Sequence, residues 1–195
     1  MKTAFNLFEP HFTKHHNKKN VEIEMRLGRI SGNKFDTNIG KESFNKAIKS
    51  LEKFKKWDVV EVNEYDAYYG QNGLRTTRYE DDTQESIIKK RVANIDYNSR
   101  DLPFDIRLGI STEDTHQPCD DTEYDCVKHK KRTSYTRKGL RIDCTIVTGD
   151  PDDMDAEETE EYQIEFEIIN VKTVKNRNDF YNHIYKIKNL CDCLV

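Results

Sequence analysis

From Val21 the chain alternates apolar and charged residues without a break, as Val21-Glu22-Ile23-Glu24-Met25-Arg26-Leu27. Period-two alternation predicts a strand. The same pattern predicts strands over 58–69, 74–79, 86–95, 104–112, 127–135, 140–148 and 161–171. Two segments follow a helical period instead. Phe44, Ala47, Ile48, Leu51 and Phe54 form one apolar stripe within 40–56, and Phe180, Ile184, Ile187 and Leu190 form another within 178–190. Both stripes read as core packing. The run Glu80-Asp81-Asp82-Thr83 signals a turn, because Asp side chains bond their own backbone. Lys138-Gly139 predicts a hairpin, since Gly permits positive φ. The stretch 6–12 is aromatic without a clear period, and His11, Lys14, His15, His16, Lys18 and Lys19 make the next stretch basic. The expectation there is a solvated lead-in, with a nucleic-acid contact surface as the functional alternative. Acidic runs at 113–125 and 150–161 are expected to be solvated loops.

Composition narrows the class. A chain of 195 residues suits a single domain spanning 1–195. Charged residues make up 35%, against about 25% in average domains. Ten Tyr and nine Phe argue against disorder. The apolar runs are far short of the ~20 residues a membrane helix needs, and no secretory signal stands near Met1. Five cysteines, Cys119, Cys126, Cys144, Cys191 and Cys193, form no CxxC pair. The expectation is a reduced, intracellular protein without a membrane partner.

The decisive pattern is what alternates with the apolar residues. Same-face charges recur at spacing two: Glu22, Glu24 and Arg26; Lys89 and Arg91; Asp105 and Arg107, with Glu113 in phase; Lys128, Lys130 and Arg132; Arg141, Asp143 and Thr145; Gln163, Glu165 and Glu167. Two structures satisfy it. An open antiparallel sheet could turn these faces to water. Alternatively the sheet closes, the charges point inward, and the apolar faces pack outward on helices. Carboxylates clustered inside would repel by ~4 kcal/mol per pair at 4 Å and an effective dielectric near 20. A divalent metal, with facing Lys and Arg, would offset that. Metal beside a basic cage implies polyphosphate chemistry.

The stretch Val21 to Gly28 resembles the first glutamate motif of the metal-dependent RNA 5′-triphosphatases of mRNA capping, which belong to the triphosphate tunnel metalloenzymes. Tyr162-Gln163-Ile164-Glu165-Phe166-Glu167-Ile168 resembles their second glutamate motif. Between them, in the family's order, stand Arg75 with Thr77, the strand from Phe104 leading to Glu113, Lys130-Lys131-Arg132-Thr133-Ser134-Tyr135, and Arg141-Ile142-Asp143-Cys144-Thr145. The matches run from 21 to 168, and size and spacing most resemble the compact branch from algal large DNA viruses. One position departs: Gln163 stands where the second motif usually has a glutamate.

The resemblance implies an α+β, mainly β fold, a closed eight-stranded antiparallel barrel with a charged interior flanked by helices. It implies removal of the γ-phosphate from the 5′ end of nascent mRNA, the first step of cap formation, with manganese-supported hydrolysis of free NTPs. Glu22, Glu24 and Glu167 would bind Mg²⁺ or Mn²⁺. Glu113, Asp143 and Glu165 would hold metal-bound or attacking water, and Arg75, Lys130, Arg132 and Arg141 would bind phosphate. Arg26, Lys89, Lys90, Arg91, Arg107 and Lys128 are further tunnel candidates, each weighed against a local salt bridge. The implied setting is an infected host cell, with a separate guanylyltransferase as a possible partner. A tripolyphosphatase of the same fold and a non-catalytic RNA- or protein-binding sheet are the rival readings.

Overall fold

A computed structural model describes residues 1–117, 122–149 and 159–194. Its elements run α1 (Lys2–His15), β1 (Val21–Ser31), β2 (Lys34–Asp36), α2 (Lys41–Lys53), β3 (Val59–Tyr69), β4 (Leu74–Tyr79), β5 (Gln84–Tyr97), β6 (Asp105–His116), β7 (Cys126–Arg137), β8 (Leu140–Thr148), β9 (Glu161–Ile168) and α3 (Arg177–Cys191). The sheet order is β2-β1-β6-β5-β4-β3-β7-β8-β9, and β1 also pairs with β9. That last pairing closes eight antiparallel strands into a barrel, with the short β2 left as a flap on β1. The closed, charge-lined alternative is therefore the one adopted.

Closure decides which face is which. Along β1 the apolar set Ile23, Met25 and Leu27 is fully buried outside the barrel wall. So are Ile106, Leu108 and Ile110 of β6 and Ile164, Phe166 and Ile168 of β9. The three helices cover this outer surface, and Phe8, Phe44, Ala47, Leu51, Phe180, Ile184 and Ile187 complete the core. The core thus lies between wall and helices, while the in-phase charges line the lumen. On the far side of the barrel, helix cover ends: Val60 and Val62 of β3 are 51% and 63% exposed.

Local signals set several ends. Lys138 and Gly139 both have positive φ, 47° and 81°, and form the tight β7–β8 hairpin. The Asn176 side chain caps α3 by accepting from the amides of Asn178 and Asp179. Asp81 accepts from the Thr83 amide in the β4–β5 turn. Trp57 Nε1 donates to the Leu51 carbonyl at 2.9 Å, closing the end of α2.

Four expectations need correction. The N-terminal stretch is no solvated lead-in: Ala4, Phe5, Phe8 and Phe12 form the buried face of α1. Phe12 stacks on Phe180 of α3 with centroids 4.1 Å apart. Pro10 inside this helix, together with the following histidines and lysines, disguised the period. Strand β6 runs to His116, so Glu113 and Asp114 are strand residues rather than the start of an acidic loop. Strand β9 stops at Ile168, three residues short of the expected end, and Val171 lies in a 3₁₀ turn. Helix α2 is shorter than 40–56 and ends at Lys53. Positions 118–121 and 150–158 of the acidic runs lie outside the described residues. No helix among the described residues is long and apolar enough to cross a membrane.

Two stability experiments follow from this packing. Phe8→Ala removes a fully buried ring and is expected to cost about 3–5 kcal/mol in denaturant unfolding; a loss near zero would detach α1 from the core. The second concerns His129, on the outer face of β7, which bonds Asp66 at 2.9 Å and Glu64 at 3.1 Å, both from β3. Partial burial opposes its charge, but the bonds to Asp66 and Glu64 prevail and hold its pKa above the ordinary value. The gain is therefore complete below about pH 6.5 and fades as pH rises through the folded-state value. His129→Gln is expected to lower the melting temperature more at pH 6 than at pH 8.5, and an equal loss at both would contradict the assignment.

Candidate active site

Register places the two glutamate strands side by side. Across β1 and β9, Glu24 is the partner of Glu167, and Arg26 is the partner of Glu165. Strand β8 continues the row: Arg141 opposes Glu167, Asp143 opposes Glu165, and Thr145 opposes Gln163. Strand β7 adds Arg132 opposite Thr145 and Ser134 opposite Asp143. On the other flank β6 sets Ser111 against Glu22 and Gly109 against Glu24, and β5 sets Lys89 against Glu113. Residues some 140 positions apart in the chain thus share one wall of the lumen. They do so because period-two side chains and antiparallel register put every second residue on one face.

Ion pairs tie the wall together. Arg26 Nη2 lies 2.8 Å from Glu24 and its Nε lies 2.9 Å from Glu165. That Nε–H is not aimed at the carboxylate, so it stays a buried donor without a hydrogen-bond acceptor, as does Arg75 Nε. Lys89 pairs with Glu22 and lies 3.4 Å from Glu113 and 3.9 Å from Glu24. Arg75 stands 3.4 Å from Glu113. Arg141 bridges Glu167 at 2.5 Å and Asp143 at 3.0 Å. Asp143 also accepts from Ser134 Oγ at 2.6 Å and sits 3.6 Å from Arg132. Lys130 donates to the Tyr69 hydroxyl at 2.7 Å.

The same neighbours divide the carboxylates into two classes. Burial raises Glu24 to about 7, with the Glu165 charge adding to it and Arg26 opposing. Burial likewise raises Glu167 to about 7, against Arg141 and with help from Glu22 and Asp143. Burial pushes Glu165 the same way, but Arg26, Arg132, Lys130 and Lys89 overwhelm it and hold it at about 2. Glu22, also desolvated, is drawn down by Lys89. Glu24 and Glu167 therefore face each other across neighbouring strands, each too poorly compensated to ionise freely. A divalent cation fits such an oxygen-rich pair, because it lowers the cost of ionising both. Among the described residues no three His, Cys, Asp or Glu side chains already form a metal cage. In this arrangement the carboxylates are turned toward Arg26, Lys89 and Arg141 instead.

Every residue expected at the metal or phosphate position thus lines one lumen: Glu22, Glu24, Glu113, Asp143, Glu165, Glu167, Arg75, Lys130, Arg132 and Arg141. The secondary candidates divide. Lys89 is integral, while Arg91 lines a cavity of about 290 Å³ that opens from the site. Lys128 is on the inner face of β7, nearer its end than Lys130. Arg107 is a bidentate partner of Asp96 at 2.6 and 2.8 Å. Lys90 is a correction: it opposes Thr112 on the outer face and is exposed. Gln163 donates to Glu161 at 2.9 Å, a contact that charge-neutral Gln can make and Glu could not.

Sequence reasoning passed over Gly109, Ser111 and Tyr69. Ser111 Oγ donates to Glu22 at 2.7 Å. At Gly109 a Cβ would stand 3.0 Å from Glu24 Oε1 and 3.2 Å from its Cγ. A glycine within an alternating strand marks such a close approach, and it was the available signal.

A charged lumen with paired carboxylates and a ring of cations defines a tunnel hydrolase acting on polyphosphate ends. The chain belongs to the family described as mRNA capping enzyme, beta chain, whose sequence profile matches residues 33–191. It is accordingly an RNA 5′-triphosphatase, serving the first step of mRNA cap formation. Glu22 and Glu24 precede the matched span, so their place rests on the register with β9 and β6. Among solved structures, the chain is similar to the Schizosaccharomyces pombe Pct1 RNA triphosphatase. That match has TM-score 0.81 and 18% identity, over 97% of this chain and 91% of that one. It is also similar to the Mimivirus capping enzyme triphosphatase, with TM-score 0.70 and 15% identity, over 98% of each chain. At these identities the likeness is one of fold. No curated protein matches the sequence.

The close approach at Gly109 gives a direct check on the site. Gly109→Ala is expected to displace the Glu24 carboxylate by a few tenths of an ångström and to lower triphosphatase activity roughly tenfold or more. Circular dichroism should be unchanged. Full activity in this variant would show that the Glu24 position is not critical.

Proposed function

We propose that Glu22, Glu24 and Glu167 hold one Mg²⁺ or Mn²⁺ ion, and that the surrounding cations seat the γ-phosphate of triphosphate RNA beside it. The observation that carries this reading is that register sets Glu24, which is buried, opposite Glu167, which is half-buried, each with its pKa raised to about 7 chiefly by desolvation. A bound ion would act as a Lewis acid on a phosphate oxygen.

The rest is done by the chain's own side chains. Phosphoryl transfer spreads negative charge over the departing phosphoryl oxygens, so catalysis is mostly positioning and electrostatics. Arg75, Lys130, Arg132 and Arg141 supply positive charge there. Arg75, beside Glu113, and Arg26, between Glu24 and Glu165, add two further guanidinium groups to the same wall. Glu165 stays ionised at any working pH, which suits it to orient the attacking water and makes it a weak base. Glu113, partly exposed beside Lys89 and Arg75, takes part in the same task. Asp143 is 1% exposed with both oxygens engaged. It acts by fixing Arg141 and Arg132 rather than by holding water.

The preferred substrate on this reading is an RNA end rather than tripolyphosphate, with free NTPs accepted as well. The product diphosphate end would pass to a separate guanylyltransferase inside an infected cell. The compact viral type and kinship to the algal-virus branch rest on the sequence resemblance alone.

Release of γ-phosphate from 5′-triphosphate RNA, measured with Mg²⁺, with Mn²⁺ and with neither, tests the reading. Release is expected only with metal, and Glu24→Ala is expected to lower it at least a hundredfold while the fold survives. Losing one phosphate-binding cation, as in Arg132→Ala, should cost about 2–4 kcal/mol in the barrier. Wild-type turnover in Glu24→Ala would remove the metal assignment.

A further inference from the structure

The β1–β2 hairpin folds an aromatic ring over the rim of the lumen. Phe35 is the cross-strand partner of Ile30. Its ring fills the space in front of Gly28, where a Cβ would lie 2.5 Å from Phe35 Cε1. Gly28 is in phase with Glu22, Glu24 and Arg26 and so belongs to the inner face of β1. The missing side chain at Gly28 lets both the β2 backbone at Asp36 and the Phe35 ring lie close against the inner face of β1. The Arg107 guanidinium stands 4.6 Å from the ring centroid. Two bonds to Asp96, at 2.6 and 2.8 Å, hold that guanidinium in place. Phe35 remains partly exposed. It is therefore a ring fixed from two sides, backed by a cation and open to solvent.

The cavity beneath is strongly cationic. Arg26, Arg75, Lys89, Arg91 and Arg107 line it, against the single carboxylate of Glu24. Along β1, Gly28 lies two residues beyond Arg26 and four beyond Glu24, roughly 7 and 13 Å at the rise of a strand. A γ-phosphate seated at Glu24 would leave its ribose and base at that height, in the same mouth. On β5, Arg91 opposes Ser111 and so stands level with Glu22, on the other side of Glu24 from Gly28. Arg91 is exposed and lines the cavity. Among the described residues it has no carboxylate within ion-pair distance.

We propose that Phe35, backed by Arg107, is a stacking platform for the 5′-terminal nucleobase of triphosphate RNA. This rests on the γ-phosphate seating given above. Every base has a π-face, so stacking of this kind tolerates any sequence. The platform thus selects a nucleotide over a bare polyphosphate without reading which nucleotide it is. Arg107, already committed to Asp96, supports the ring rather than a phosphate.

The test compares KM for a short triphosphate RNA with the inhibition constant of inorganic tripolyphosphate against the same RNA. It uses the wild type, Phe35→Ala, Phe35→Leu and Phe35→Tyr. The ratio of KM to that constant is expected to rise about tenfold or more in the Ala and Leu variants and to stay near wild type in the Tyr variant. Leu fills the space over Gly28 without offering a π-face, so it carries the test if Ala loosens the hairpin. Equal changes in both constants, no change in either, or loss of the ratio in the Tyr variant would overturn the platform. Absence of phosphate release by the wild type itself would instead count against the γ-phosphate seating, and that arm is read independently of the variants.

Discussion

Two glutamates facing each other across neighbouring strands, inside a closed wall, set the terms for the rest of this molecule. Glu24 and Glu167 cannot both be ionised at low cost in that position, since burial disfavours both charges and the neighbouring carboxylates, Glu165 and Glu22 above all, add to it. The barrel answers with cations in fixed places: Arg26 between Glu24 and Glu165, Lys89 beside Glu22, and Arg141 beside Glu167. The compensation is uneven. Glu165 is over-supplied with positive charge and stays ionised, while Glu24 and Glu167 are under-supplied. That imbalance makes the lumen receptive to a metal ion and a polyanion together, whereas a perfectly neutralised wall would bind neither.

An inverted distribution of polarity makes this placement possible. In a sheet with one face solvated, the charged face meets water and the apolar face meets the core. Here the charged face is enclosed by β1–β9 pairing, and the apolar face lies outside the wall yet inside the protein. The three helices are what keep that surface dry. Where they stop, around β3, valines stand exposed and surface pairs such as His129 with Glu64 and Asp66 take over. The strands that carry most of the carboxylates, β1, β6, β8 and β9, have buried outer faces in the core, as expected for groups that must be held in place.

Much of the strand plan was legible because alternation is a local property. The segment 140–148 was read with the bounds the structure has, and the in-phase sets Glu22-Glu24-Arg26 and Arg141-Asp143-Thr145 do share a face. Errors arose where a local signal was overruled. Pro10 and a run of His and Lys hid the Phe5, Phe8 and Phe12 stripe, although tertiary packing on Phe180 forms the helix regardless. Glu113 and Asp114 looked like part of an acidic loop because charge density says nothing about pairing with Lys89 and Ile88 across β5. Lys90 was grouped with Lys89 and Arg91, but one residue of offset on a strand reverses the face. Gly109 carried no charge and so attracted no notice, yet its bare backbone makes room for Glu24.

By itself, the sequence determined the strand periods, the two sets of residues that must share faces, and the order of charged motifs along the chain. Only the tertiary structure decided that the charged faces point inward, that Glu24 stands opposite Glu167 while Arg26 links it to Glu165, and that Phe35 reaches the rim of the lumen. The physical reason is that a period of two is the same for an open and a closed sheet. Direction of curvature, register between distant strands and the side that helices cover depend on non-local contacts. These form only when residues far apart in the chain are brought together.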